Sequence, residues 1–317
     1  MLRLTGGAGM YRLGVDIGGT KVNIGLLDEK GNVIFHRAEK LPESKDPASV
    51  LNRVKTAADD SFQTNGISRS EIVSCGIGVP GTVSGDMRTA LKVPNLGWEN
   101  AGLCEMFEGL TGIPSLLLQD SRAAAYGEYI AGRGRGKKIL VCITLGTGLG
   151  TGIVMDGDIF AGALGNAGEM GHIPAVPDGR PCGCGKKGCV EKYAAGTGLD
   201  ITARELYGPG HSAADIFEKA GLGDMEAKDV LGEAVRLLGN VMVCIINLIS
   251  PDCLLFSGGM SEQKDLYVYP LIRYIEGHCY SVSAEDMPYM DLAALGADAP
   301  MIGAALYPAK KFGKGVK

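Results

Sequence analysis

The sequence predicts two successive α/β domains, and three observations lead there. Residues 11–36, YRLGVDIGGTKVNIGLLDEKGNVIFH, alternate β-favouring apolar residues with two turn signals, Gly18-Gly19 and Glu29-Lys30-Gly31. That is the pattern of two antiparallel strands joined by a tight turn, then a third strand. Residues 139–160, ILVCITLGTGLGTGIVMDGDIF, repeat the plan: a shift of 128 positions lays Asp16 on Thr144, Gly18 on Gly146 and Asp28 on Asp156. After each opening phrase, helical and strand patterns alternate, as expected of a duplicated α/β core.

The elements follow in order. SVLNRVKTAADDSFQT (49–64) has helical periodicity and VSCGIGVP (73–80) reads as a strand. SLLLQD (115–120) is a buried strand running directly into a helix, SRAAAYGEYIAG. In the second half, DVLGEAVRLLGNVMVCIINLI (229–249) is a long, largely buried helix, and CLLFSGG (253–259) is a strand ending on two glycines. The expected division is a disordered extension over 1–10, a small domain over 11–127 and a large domain over 128–300. A C-terminal helix over about 301–317 is expected to cross back and complete the small domain. Met10 is an alternative start, because ordered patterning begins at Tyr11.

Composition excludes several classes of function. Of 317 residues, 45% are apolar and 21% charged, which is a folding chain rather than a disordered one. Net charge is −5 and no basic run exceeds two residues, so no nucleic-acid surface is expected. No apolar run is read as long enough to span a membrane, and MLRLTGGAG has no hydrophobic signal core; the expected location is the cytoplasm. Nine cysteines, an odd number and mostly scattered through apolar runs, argue against a disulfide framework.

Both hairpin turns carry glycine and hydroxyl: Asp16-Ile-Gly18-Gly19-Thr20-Lys21 and Thr144-Leu-Gly146-Thr147-Gly148. A phosphate chain needs backbone N–H groups brought close, and a Cβ at the turn obstructs them. An ordinary hairpin turn uses the same residues, but two such turns in matching positions favour phosphate. Beside phosphates, the carboxylate of Asp16 suits Mg²⁺ held through water.

The segment RPCGCGKKGCVE (180–191) places Cys182, Cys184 and Cys189 close together, with His172 just upstream. Three thiolates and an imidazole suit tetrahedral Zn²⁺, and glycines at 183, 185 and 188 allow the sulfurs to converge. Four protein ligands leave no open position, so the metal is structural.

These residues resemble the ROK family of sugar kinases, within the superfamily that includes actin, hexokinase and the heat-shock chaperone ATPases. The resemblance runs from Tyr11 to the end, on DIGGTK (16–21), GVPGTV (78–83), PNLGW (94–98), TLGTGLG (144–150), GEMGH (168–172), CGCGKKGCVE (182–191) and FSGG (256–259), in the family's order. It implies a two-domain actin-like ATPase fold, a duplicated ribonuclease H-like core with a central cleft and a zinc-binding loop. It further implies phosphorylation of a hexose with ATP and Mg²⁺, by an enzyme whose usual state is a homodimer.

By this resemblance Asp120 matches the catalytic base, at the C-terminal end of a strand where a helix N-cap would also suit Asp. Gly81, Asn95, Gln119, Glu169, His172 and Glu191 match substrate-binding positions. Asp16, Gly18, Gly19, Thr20, Lys21, Thr144, Gly146, Thr147, Gly148, Gly258 and Gly259 match ATP-binding ones. The family usually reads Asn-Asp-Ala-Asn where this chain has Gln119-Asp120-Ser121-Arg122, and Gln carries the amide one methylene further. Glucose is the expected sugar, since PNLGW resembles the glucose-kinase form; N-acetylmannosamine, N-acetylglucosamine, allose and fructose are the alternatives. A sugar-responsive repressor of the family would carry an N-terminal helix-turn-helix domain. Polymerising or chaperone ATPases would have no use for the cysteine loop, and a catalytically dead sugar-binding module would not need Asp16, Asp120 and both turns.

Overall fold

The computed structural model describes residues 10–280 and 283–313. Apart from Met10, the N-terminal extension lies outside the described residues, as do residues 314–317 of the expected C-terminal helix. The chain divides into two compact units. Unit 1 is Met1–Arg135, Ala161–Gly165 and Ala297–Lys317; unit 2 is Gly136–Phe160 and Asn166–Gly296.

Unit 1 opens with β1 (Tyr11–Ile17), β2 (Lys21–Leu27) and β3 (Val33–Lys40). Helix α1 (Pro47–Asn65) follows; the Asp46 carboxylate accepts the Ser49 N–H at its start, Pro47 leads it, and Gly66 closes it at φ +64°. Next come β4 (Ile72–Val79), a small sheet of β5 (Thr82–Val83), β6 (Ala90–Val93) and β7 (Trp98–Ala101), then α2 (Leu103–Thr111), β8 (Ser115–Gln119) and α3 (Asp120–Ala131). The main sheet runs β3-β2-β1-β4-β8. Strands β1, β4 and β8 are parallel neighbours, so their carboxyl ends share one edge.

Unit 2 repeats this plan with β9 (Ile139–Leu145), β10 (Leu149–Met155) and β11 (Asp158–Ile159). Then come α4 (Glu191–Ala194), α5 (Gly196–Tyr207), α6 (Ala213–Gly221), α7 (Met225–Ile249), β12 (Cys253–Ser257), α8 (Tyr269–His278) and β13 (Tyr289–Leu292). Its sheet, β11-β10-β9-β12-β13, has the order of the first sheet strand for strand, and β1 and β2 fall on β9 and β10 at the 128-residue shift read from the sequence. The turns differ. Ile17 pairs with Val22 across four residues, whereas Leu145 pairs with Leu149 across three.

The last described helix, α9 (Ala299–Lys311), belongs to unit 1 and lies against α3, β4 and β1. Contact is so close that a Cβ on Gly76 would sit 1.7 Å from the Ala304 carbonyl oxygen, and one on Gly303 would sit 1.8 Å from that of Ala123. Only glycine fits at either place.

The sequence reading that no apolar run reaches spanning length needs correction. Helix α7 is long and apolar enough by length and composition, with a mean hydropathy of 1.5 over its most apolar stretch. Its apolar face is nonetheless spent on the unit 2 core, where Leu231, Leu238, Val241 and Met242 are buried, while Glu226, Lys228, Asp229, Glu233 and Arg236 occupy the other face. This is the core helix expected over 229–249, begun four residues earlier.

Candidate active site

In unit 1 the candidate residues collect on the carboxyl edge of the parallel strands. The register sets Asp16 beside Gly78 and Val79 beside Gln119, so Asp16, the Pro80-Gly81 turn and Gln119-Asp120 line one edge. That edge is where open α/β sheets bind ligands. Asp16 pairs across the hairpin with Asn23, whose Nδ2 donates to Asp16 Oδ2 at 3.2 Å. A side chain at Gly78 would come within 3.5 Å of Asp16 Oδ1. Burial raises the Asp16 pKa from 3.8 to about 6, outweighing the Asn23 hydrogen bond and the nearby Lys21 charge. A carboxylate so placed, with part of its surface still open, favours a cation.

The strand ends at Gln119, and Asp120 is the first residue of α3 rather than its cap. Asp120 Oδ1 accepts the N–H of Ser121 at 2.6 Å. Arg122 Nη2 donates to the Gly165 carbonyl at 2.7 Å, within the stretch 161–165 that returns to unit 1. Asn95 is exposed on a short 3₁₀ turn, Pro94–Leu96, closed by Gly97 at φ +70°. Gly81 has a packing reason of its own, since a Cβ there would lie 2.2 Å from the Lys92 carbonyl oxygen.

The first glycine turn is closed by the Gly18 N–H donating to the Lys21 carbonyl at 2.9 Å, with Thr20 and Lys21 exposed. Lys45 Nζ donates to the Gly19 carbonyl at 3.1 Å, and the Lys45 carbonyl accepts Trp98 Nε1 at 2.6 Å. In a trans peptide C=O and N–H point oppositely, so tying back the Gly19 oxygen turns the Thr20 N–H away from Lys45.

The second turn, in unit 2, is held by the same logic. The first N–H groups of α5 cannot bond within their own helix. Those of Gly196 and Thr197 donate instead to the carbonyls of Gly146 and Thr147, at 2.8 and 3.0 Å. The N–H groups of Thr147 and Gly148, both exposed residues, are thereby turned away from α5. Thr144 pairs with Ser257 at the end of β12, and Gly258 follows at φ +88°, where a Cβ would lie 2.4 Å from the Leu145 carbonyl oxygen. Gly259 opens the short turn after it.

His172, Cys182, Cys184 and Cys189 come together, their donor atoms all within 4.8 Å of one another. Ligand distances of about 2.0–2.3 Å at tetrahedral angles imply roughly 3.5–3.8 Å between donors. Cys182 Sγ lies 3.6 Å from His172 Nδ1, and Cys184 Sγ 3.6 Å from Cys189 Sγ, so the set fits a small tetrahedral ion. Gly185 and Gly188 turn the loop at positive φ, and a Cβ on Gly188 would collide with the Val176 carbonyl. Gly183 has neither constraint.

His172 ends a 3₁₀ turn, Met170–His172, that starts next to Glu169. With Nδ1 toward the sulfurs, Nε2 faces Glu169 Oε2 at 4.0 Å. Glu191 Oε1 lies 3.0 Å from Cys182 Sγ and 3.7 Å from His172 Nδ1. A Cβ on Gly148 would lie 3.4 Å from Glu191 Oε2, so Glu191 touches both the cysteine cluster and the second turn.

Three contributors escaped the sequence reading. Asn23 had a usable signal, a lone amide in the apolar strand KVNIGLL. Lys45 and the Gly196-Thr197 pair had none, because their partners are distant in sequence.

A duplicated sheet with a glycine hairpin turn in each copy defines an actin-like ATPase. The sequence pattern of the ROK family matches residues 12–311, and the chain belongs to that family. A glucokinase of Streptomyces coelicolor is 33% identical over 312 residues, covering 92% of this chain and 96% of that one. An N-acetylmannosamine kinase of Salmonella typhimurium is 30% identical over 301 residues, covering 94% and 98%. A solved structure of a ROK family glucokinase from Streptomyces griseus, in complex with glucose and AMPPNP, has a TM-score of 0.77 at 32% identity, covering 93% of this chain and 98% of that one.

The raised pKa of Asp16 has a signed consequence. Its folded pKa lies above its unfolded value, so the group contributes stability at low pH that is lost as pH rises from about 4 to 6. Asp16→Asn removes the buried charge and should stabilise the nucleotide-free protein at neutral pH, by on the order of 1–3 kcal/mol, and little at acid pH. Urea unfolding of both proteins on either side of the transition checks this; a gain that does not grow with pH removes the buried charge as its cause.

Proposed function

We propose that this chain is an ATP-dependent hexokinase that transfers the γ-phosphoryl group of ATP to glucose, giving glucose 6-phosphate and ADP. The observation that carries the reading is the parallel register of β1, β4 and β8, which lines up Asp16, Gly81, Gln119 and Asp120 on one sheet edge. Family membership and relatives named as glucokinases support it.

Phosphoryl transfer asks a protein for positioning, charge neutralisation and one group to take a proton. In this reading Asp120 takes the proton of the hexose hydroxyl as that oxygen attacks the γ-phosphorus and ADP leaves. The turns Gly18–Lys21 and Thr144–Gly148 present backbone N–H groups to the phosphates, with Gly258 and Gly259 beside the nucleotide. Asp16 holds Mg²⁺ through water, and the ion supplies positive charge to the phosphate oxygens when bound. Asn95, Gln119, Glu169, His172 and Glu191 hold the sugar hydroxyls. His172, Cys182, Cys184 and Cys189 would hold Zn²⁺ as a structural ion, which would fix the His172 ring and, through the loop, Glu191. The reaction belongs in the cytoplasm, where thiols stay reduced, and the family's homodimer is the state expected in solution.

A second reading, an N-acetylhexosamine kinase, is favoured by the relative named as an N-acetylmannosamine kinase and by Gln119 beside the base. ADP release measured across glucose, mannose, allose, fructose, N-acetylmannosamine and N-acetylglucosamine decides between them. Glucose is expected to give the highest kcat/KM. A higher value with an N-acetylhexosamine transfers the assignment, and no turnover with any of the six ends the hexokinase reading.

Asp120→Asn should lower kcat by about 10²–10⁴ and leave hexose affinity within a few-fold, because the hydroxyl must then shed its proton unaided. A variant that keeps a third of the activity removes Asp120 as the base.

Elemental analysis of protein purified without chelators should find about one zinc per chain. Cys184→Ser should lower zinc content, hexose affinity and thermal midpoint together. Protein free of zinc yet fully active rules the metal out.

A further inference from the structure

Arg180 stands two residues before the first cysteine and belongs to none of the groups assigned above. Its main chain is sewn into the cysteine loop: its carbonyl accepts the Gly188 N–H at 2.9 Å, next to Cys189. Its own N–H donates to the Tyr193 hydroxyl on α4 at 2.6 Å. Its side chain leaves the loop altogether. Nη1 lies within hydrogen-bond distance of the Lys192 carbonyl (3.0 Å), the Gly198 carbonyl (3.1 Å) and Thr202 Oγ1 (3.0 Å). Nη2 donates to Glu205, and the guanidinium lies 5.0 Å from the centre of the Tyr193 ring.

Of those acceptors the Lys192 carbonyl is the one that needs such a donor, since the Gly198 carbonyl already accepts the Thr202 hydroxyl at 3.3 Å. Helix α4 is a single turn of four residues, too short to satisfy its own carbonyls, and Lys192 is one of those left over. A cation capping the carbonyl end of one turn while bonding the first turns of the next helix fixes the angle between them. The junction tolerates little movement, since a Cβ on Gly198 would come within 2.4 Å of the Lys192 carbonyl carbon.

What the junction carries is the second glycine turn. Gly196 and Thr197, the first residues of α5, hold the carbonyls of Gly146 and Thr147. A Cβ on Gly196 would sit 2.9 Å from the Gly146 oxygen, so the turn rests directly on the helix. One continuous run of contacts therefore leads from the cysteine loop through Arg180 to the peptide planes of Thr147 and Gly148, entirely within unit 2.

We propose that Arg180 is a positioning residue that couples the cysteine loop to the second phosphate turn, so that one loop sets nucleotide affinity as well as sugar affinity. The proposal rests on the assignment of Thr144–Gly148 to ATP in the preceding section. It predicts that the nucleotide side of unit 2 loosens when the Arg180 side-chain hydrogen bonds are lost, even with the metal in place.

The test is calorimetric binding of a non-hydrolysable ATP analogue with Mg²⁺, without sugar, alongside steady-state kinetics and zinc content. Arg180→Met keeps much of the length and the apolar contact with Tyr193, and leaves the main-chain hydrogen bonds in place, but loses every side-chain hydrogen bond. It should raise the analogue Kd and the KM for ATP by about five- to twentyfold, with kcat within about threefold and zinc retained. Arg180→Lys, which has one compact ammonium and no fork, should fall between the two. Thr202→Val, removing one acceptor, should raise the Kd about two- to fourfold, and it carries the test with Arg180→Lys if Arg180→Met does not fold. An analogue Kd within about 1.5-fold of wild type in all folded variants overturns the proposal. So does loss of zinc with nucleotide binding unchanged, which would confine Arg180 to the loop. Wild-type protein that binds the analogue but phosphorylates no hexose fails the hexokinase reading and leaves this comparison intact; wild-type protein that binds no analogue fails both.

Discussion

The carbonyl oxygens of Gly19, Gly146 and Thr147 are each held from behind by a donor from elsewhere in the chain: Lys45 Nζ, the Gly196 N–H and the Thr197 N–H. A glycine hairpin turn left to itself samples many peptide orientations. Fixing the oxygen fixes the plane, and the N–H on its far side then has one direction. What the two turns can offer an anion depends on these back-side bonds. The structure spends different means on them, a lysine side chain in unit 1 and the unsatisfied start of a helix in unit 2. Trp98 and Arg180 act one step further out, each holding the element that holds the turn.

Much of this architecture was legible in the residues. Alternation around Gly18-Gly19 and again around Gly146–Gly148 located both hairpins, and the shift of 128 residues that related them in the sequence also relates their strands in space. The clustering of His172 with the three cysteines followed from spacing and donor chemistry. The supports were not legible. Lys45 lies 26 residues from Gly19, and nothing in LPESKD distinguishes it from a solvated lysine. Arg180 only opens the segment RPCGCGKKGCVE, and its contacts depend on a fold that brings α5 alongside. Helix α7 shows the opposite difficulty. Its composition suits a bilayer or a core equally, and only the packing decides.

The site is also a place where stability is given up. Asp16 is a carboxylate whose surroundings raise its pKa to about 6, so at neutral pH the folded chain carries a charge it would hold more easily unfolded. Such conflicts between local comfort and the global fold concentrate where a ligand completes the structure. In unit 2, Glu191 lies close to Cys182, His172 and Gly148, so the residues proposed for sugar, metal and phosphate share one small space.

Helix α9 has a consequence for how the protein is made. Synthesis proceeds from the N-terminus, and domains generally fold as units as they emerge. The core of unit 1 is closed by residues 299–311 packing on Gly76 and against Ala123 of α3, more than 160 residues after α3 has been made. Unit 2 holds its two sheet halves within residues 136–296 and can close first. The edge that carries Asp16 and Asp120 thus lies on a sheet that gains part of its helical cover, α9, only after unit 2 has been made.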